Sequence, residues 1–201
     1  MSQAAASTST SAQSLRSILD GGGKYAEISA FLDGLSPSAR LAEVVSITGS
    51  RVGKLYDAVS DGPKMTMEDF FPASVPDGET IIYEGRNSLP TFSRFQKRFS
   101  RKGDVIVGYN HQLMSFVTGP GFFVTKMGDE THPHEIFFDY TAEPPHFPAD
   151  FPAYKKNASG LSRLVYFNMK DYCRKVAKGV VVGAAFKDGK AMGAFFSLTR
   201  A

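Results

Sequence analysis

Asp139 closes one of the most apolar runs in the chain, Ile136-Phe137-Phe138, and is followed by Tyr140 and Thr141. A carboxyl among phenylalanines is desolvated, which raises its pKa and suits it to proton transfer near neutral pH. The same residue at a strand end also accepts turn amides, so its chemistry depends on the face it occupies. Tyr83, Tyr109, Asn110 and His111 set hydroxyl, amide and imidazole groups on or beside apolar runs. Pointed inward, such groups orient a ligand; pointed outward, they bury their bodies and wet their tips. Arg94, Lys97, Arg98, Arg101 and Lys102 are interleaved with Phe92, Phe95 and Phe99. Basic groups among aromatics suit phosphate or single strands; equally, an amphipathic element packs its Phe face and wets its charges. His132-Pro133-His134 supplies two imidazoles where a metal needs three or four ligands, and reads as a polar loop. Cys173 has cationic neighbours, Arg174 and Lys175, that would lower a thiol pKa, although lone cysteines mostly fill cores. Gly21-Gly22-Gly23-Lys24 follows no strand and is a poor phosphate loop.

The chain divides near residue 78. Before it, helical spacing dominates. Leu15, Ile18 and Leu19 form one turn, and Tyr25, Ile28, Phe31, Leu32 and Leu35 recur at three- and four-residue steps. Ser36-Pro37 starts a further helix. Val52, Leu55, Tyr56 and Val59 fit another, and Met67, Phe70 and Phe71 make a short apolar patch. After residue 78 the chain reads as strands over 80–84, 104–110, 112–118, 122–127, 134–140, 164–169, 180–187 and 194–199. The stretch 92–99 remains open between strand and helix. Asp188-Gly189-Lys190 is a hairpin signal, and Pro120-Gly121 suits a type II turn. The connections are too short for repeated parallel crossovers, so the sheet is expected to be antiparallel. Several strands are apolar on both faces, unlike an open sheet with one wet side. The expected fold is therefore α+β: an antiparallel barrel of about eight strands, with the N-terminal helices packed against it. A barrel of that size can enclose one small ligand.

The chain has 201 residues, a formal charge of +3 and one cysteine. That length suits one domain with a helical appendage, and a lone thiol excludes an internal disulfide. The expected divisions are a disordered tail over 1–13, a helical segment over 14–74 and the barrel over 79–201. The near-balanced charge gives no field for nucleic acid. No run approaches the roughly 18 apolar residues of a transmembrane helix. The absence of a signal-like start points to the cytoplasm. No pattern demands a cofactor or a metal.

Two pieces of the chain carry a family resemblance. Met169-Lys170-Asp171-Tyr172-Cys173-Arg174-Lys175-Val176, Val180-Val181-Val182-Gly183 and Phe195-Phe196-Ser197-Leu198-Thr199-Arg200 resemble the closing segment of the GXWXG/DUF4334 bacterial proteins. Phe31-Leu32-Asp33-Gly34-Leu35-Ser36-Pro37 looks like the helix before their GXWXG box. Gly49 and Gly53 keep the glycine spacing, with Arg51 where the tryptophan stands in the family. The resemblance implies a lipocalin-like (calycin-like) barrel and supplies no catalytic residues.

The functional expectation is the binding of a small hydrophobic or aromatic molecule in a Phe- and Tyr-lined barrel. Tyr83, Tyr109, His111, Phe116, Phe138, Tyr140 and Tyr166 are its expected lining. The proline-rich loop 143–152, carrying Phe147 and Phe151, is its expected lid or plug. The alternative is an isomerase- or cyclase-like enzyme in which Asp139 or His111 moves protons inside that cavity. The oligomeric state is left open.

Overall fold

The computed structural model describes residues 13–90, 93–111 and 119–201. The expected tail therefore lies, apart from Gln13, outside the described residues, as do Phe116 and the strand expected over 112–118. Four helices open the fold: α1 (Leu15–Asp20), α2 (Tyr25–Asp33), α3 (Pro37–Ser46) and α4 (Ser50–Ala58). Ser14 and Ser17 cap α1 reciprocally, satisfying amides that the first turn leaves unpaired. Ser36 caps α3, with Pro37 at its first position. A single turn, α5 (Met67–Phe70), follows, capped by Thr66 and Asp69.

Eight strands then follow: β1 (Thr80–Asn87), β2 (Arg94–Lys102), β3 (Val105–His111), β4 (Phe122–Met127), β5 (Ile136–Asp139), β6 (Met169–Ala177), β7 (Val180–Lys187) and β8 (Lys190–Arg200). Each pairs antiparallel with the next, and β8 pairs back onto β1, so the barrel is closed. Closure removes both sheet edges. Asp188 and Gly189 join β7 to β8 with φ of 52° and 74°, the paired positive values of a type I′ hairpin.

Alternation along the strands separates two cores. Inward face Tyr83, Phe95, Phe99, Ile106, Phe123, Phe138, Cys173, Phe196 and Leu198. Outward from β6 and β7 face Val176, Val180, Val182 and Ala184, which pack under Ile28, Leu32, Val44, Val52 and Leu55 of the helices. Gly108 and Gly183 lie directly beneath the rings of Phe123 and Phe196, where any Cβ would collide. Small residues there let the aromatic interior close up.

The two ends are stopped differently. From one, α5 inserts Phe70, stacked on Tyr83 at 4.8 Å and edge-on to Phe99 at 4.7 Å. From the other, Tyr166 lies parallel to Tyr140 at 5.4 Å. Tyr166 belongs to α6 (Ser162–Tyr166), a helical turn inside the stretch expected to be a strand over 164–169; the strand begins only at Met169. The outer residues Leu164 and Phe167 of that stretch are exposed; lacking sheet neighbours to bury both faces, the segment coils over the barrel mouth instead. The proline-rich loop does not cover the mouth. Its Phe147 and Phe151 pack against Phe122 and Tyr109 on the outer wall of β3 and β4.

Candidate functional site

The polar centre of the barrel is Lys97. Strand period two places it between Phe95 and Phe99 on the inner face of β2, opposite Tyr83 on β1 and Asn110 on β3. Its side chain is 2 % exposed. The ammonium donates to Asn110 Oδ1 at 2.8 Å, to the Tyr140 hydroxyl at 2.5 Å and to Asp171 Oδ2 at 3.0 Å. Tyr140 donates to the same Asp171 oxygen at 3.0 Å, and Asn110 Nδ2 donates to Tyr140 at 3.1 Å. The rings of Phe95, Phe123, Phe138, Tyr140 and Phe196 surround the ammonium, with centroids 4.8–5.9 Å away. Aromatic faces and a carboxylate together offset what the charge loses on leaving water. Burial holds the Lys97 pKa below the ordinary lysine value, against the opposing pull of Asp171. Burial and then the Asp171 charge push Tyr140 well above the usual phenol range. Burial likewise keeps Cys173 a thiol, so it is a core filler here.

The polar groups are not fully matched. Among the described residues, Asp171 Oδ1 and Thr125 Oγ1 are buried without a hydrogen-bond partner. Thr125, Phe138 and Asp171 occupy one register row across β4, β5 and β6, so the unpartnered hydroxyl and the unpartnered carboxylate oxygen belong to the same stretch of inner wall. Buried polar groups of this kind usually find a partner.

Of the lining expected from sequence, Tyr83, Phe138, Tyr140 and Tyr166 belong to the interior cluster. Tyr83 donates to the Phe70 carbonyl at 2.6 Å, tying the plug to the wall. Tyr109 and His111 share the outer face: Tyr109 is buried under Phe151, and His111 stands exposed with its ring edge-on to Tyr109. Asp139 also faces outward. Lys126 donates to it at 2.6 Å and Thr141 closes a turn on its other oxygen. Burial raises its pKa, but those bonds outweigh it and the net shift is downward. Neither acid–base candidate thus reaches the interior, because odd residues of β3 and of Ile136-Phe137-Phe138-Asp139 point outward. Asn110, singled out beside them, does point inward. Lys97, expected to wet its charge, and Asp171 are the residues the sequence reading did not assign to the site.

A depression of about 410 Å³ lies on the outer wall of β6 and β7, lined by Asp129, His132, Lys170, Tyr172, Phe186 and Asp188 among others. His132 stacks on Tyr172 at 3.9 Å, and Tyr172 donates to Asp129 at 2.5 Å. Among the described residues no three His, Cys, Asp or Glu side chains gather as a metal would need. No helix among them is long and apolar enough to cross a membrane. Fold and interior together make this an antiparallel barrel whose aromatic lining encloses a buried ion pair. In comparisons with family models, curated proteins and solved structures, the chain matches none.

Proposed function

We infer that the barrel binds a small hydrophobic or aromatic molecule whose polar end meets Lys97 and Asp171. The observation that carries this reading is the buried ion pair with an orphan acceptor, walled by five aromatic rings. Small-molecule sites are mostly apolar with a few convergent polar groups, and this interior has that composition. The side chains already pack closely around Lys97, so a ligand enters by displacing one of them. Tyr166 is the candidate, since it stacks on Tyr140 at the barrel end and belongs to a single turn whose Leu164 and Val165 are exposed. The GXWXG/DUF4334 resemblance and a cytoplasmic setting belong to the same proposal.

Thermal shift against fatty acids, isoprenoids and aromatic metabolites tests the reading. A ligand at a hundredfold excess over its Kd stabilises by about 2.7 kcal/mol, which raises the Tm by roughly 5–10 °C for a domain of this size. The shift is expected to survive His132→Ala, which alters the outer depression, and to vanish in the double variant Lys97→Met/Asp171→Leu. No shift with any class, or a shift abolished by His132→Ala alone, removes the interior as the binding site.

A further inference from the structure

We propose that Lys97 is the attachment point for an aldehyde or ketone, held as a protonated imine with Asp171 as its counter-ion. This rests on the ligand-binding reading above and names the ligand class. The surroundings of Nζ match what imine formation requires. Asp171 Oδ2 lies 3.0 Å away to take a proton, and the Tyr140 hydroxyl lies 2.5 Å away to serve the carbonyl oxygen. These two groups are themselves hydrogen-bonded, at 3.0 Å, so a proton has a path between them. The five rings that stabilise the ammonium would stabilise an iminium at the same place. They also exclude the water that would hydrolyse it. Burial favours the free amine, which is the nucleophile, over the ammonium.

Asp171 accepts one proton from the Lys97 ammonium. The freed nitrogen lone pair forms a C–N bond to the carbonyl carbon, and the C–O π electrons move to oxygen. Tyr140 protonates that oxygen and recovers its proton from the nitrogen. Asp171 then returns its proton to the hydroxyl, the C–O bond breaks and water leaves as the nitrogen lone pair closes the C=N bond. One carbonyl compound and one ammonium give one iminium and one water, with Asp171 ionised again beside the cation. Two of the three hydrogen bonds that the ammonium donates are lost, and the iminium N–H keeps the one to Asp171.

The full chain is incubated with benzaldehyde and sodium cyanoborohydride below about pH 7, where ordinary lysines are almost wholly protonated. The reduced adduct is mapped by peptide mass spectrometry, and thermal shift is read in parallel without reductant. Labelling at Lys97 is expected to exceed that of exposed lysines such as Lys54 and Lys156 several-fold, since its lowered pKa leaves a larger share as free amine. Asp171→Asn is expected to slow that labelling while Lys54 and Lys156 react as before. The wild-type map needs no variant to fold. A thermal shift with Lys97 labelled no faster than exposed lysines overturns the covalent proposal and leaves non-covalent binding standing. Absence of both shift and Lys97 adduct overturns the two readings together.

Discussion

Taking a lysine and an aspartate out of water costs several kcal/mol per ion, and their attraction recovers this only when geometry and further hydrogen bonds are good. Lys97 meets that condition: three acceptors saturate its three N–H bonds. Asp171 does not, because one of its oxygens is left without a partner. Removing one charge strands the other. Lys97→Met is therefore expected to destabilise the chain by about 3–5 kcal/mol, and Lys97→Met/Asp171→Leu to recover most of that loss. Urea unfolding of the wild type, single and double variants measures both, and equal losses in single and double variants would refute the coupling. The sequence held part of this site in view. Tyr83, Phe138, Tyr140 and Asn110 were legible because each is a polar or aromatic group on an apolar strand. Lys97 was masked by its four basic companions, which make its run look like a wetted face. Alternation alone would have found it, since Phe95, Lys97 and Phe99 share one side of a strand. Asp171 pairs with a residue 74 positions away, and no local pattern reports a contact of that range.

Elements fix which of these side chains face inward, and α5 is a very short element with a large consequence. Four residues present Phe70 to the barrel, too few for a helix to persist by itself. The turn is secured from both ends. Thr66 and Asp69 cap each other's amides, and Lys175 on β6 donates to Asp69 at 2.5 Å. Burial raises the Asp69 pKa, but the bonds from Lys175 and Thr66 outweigh it, so the carboxyl titrates below its ordinary value. A depressed folded pKa gives stability that is present above the unfolded value near 4 and is lost as pH falls through the folded value. Asp69→Asn is expected to flatten the acid limb of a plot of urea midpoint against pH, with wild type and variant converging at the lowest pH. Thr66→Ala is expected to cost about 1 kcal/mol at all pH values. A variant curve parallel to wild type throughout would show that Asp69 does not anchor the plug. The same elements show where pattern reading stops. Helices α1 to α4 were legible from spacing and caps. Strand β6 was not, because Lys170, Tyr172 and Arg174 outside alternate with Met169, Asp171 and Cys173 inside, and the inward carboxylate breaks the apolar alternation.

At the scale of the whole molecule, the helices and the barrel are expected to unfold as one body. The reason lies in who shares the outer core. Leu32, Val44, Val52 and Leu55 are buried against Val176, Val180 and Val182, so neither the helical segment nor that wall of the barrel has an apolar core of its own on this side. Arg40 adds polar ties, donating to the Leu32 carbonyl within the helices and to the Lys178 carbonyl on the β6–β7 turn. Strands β6, β7 and β8 also supply Cys173, Val181 and Leu198 to the interior. Loss of the helices thus exposes the back of the wall that holds Asp171. Leu32→Ala deletes a fully buried side chain from the shared layer and is expected to cost about 2–5 kcal/mol. Because the layer is shared, that cost should appear equally in far-UV circular dichroism, which reports helices and strands, and in tyrosine fluorescence, which reports mainly the barrel and its loops, where six of the eight tyrosines lie, Tyr83 and Tyr140 among them. Coincident urea transitions by the two probes, shifted together by Leu32→Ala, are the expected result. A variant in which the fluorescence transition stays at the wild-type midpoint while the circular dichroism transition moves would show that the barrel stands without its helices, and the ion pair at Lys97 would then owe nothing to them.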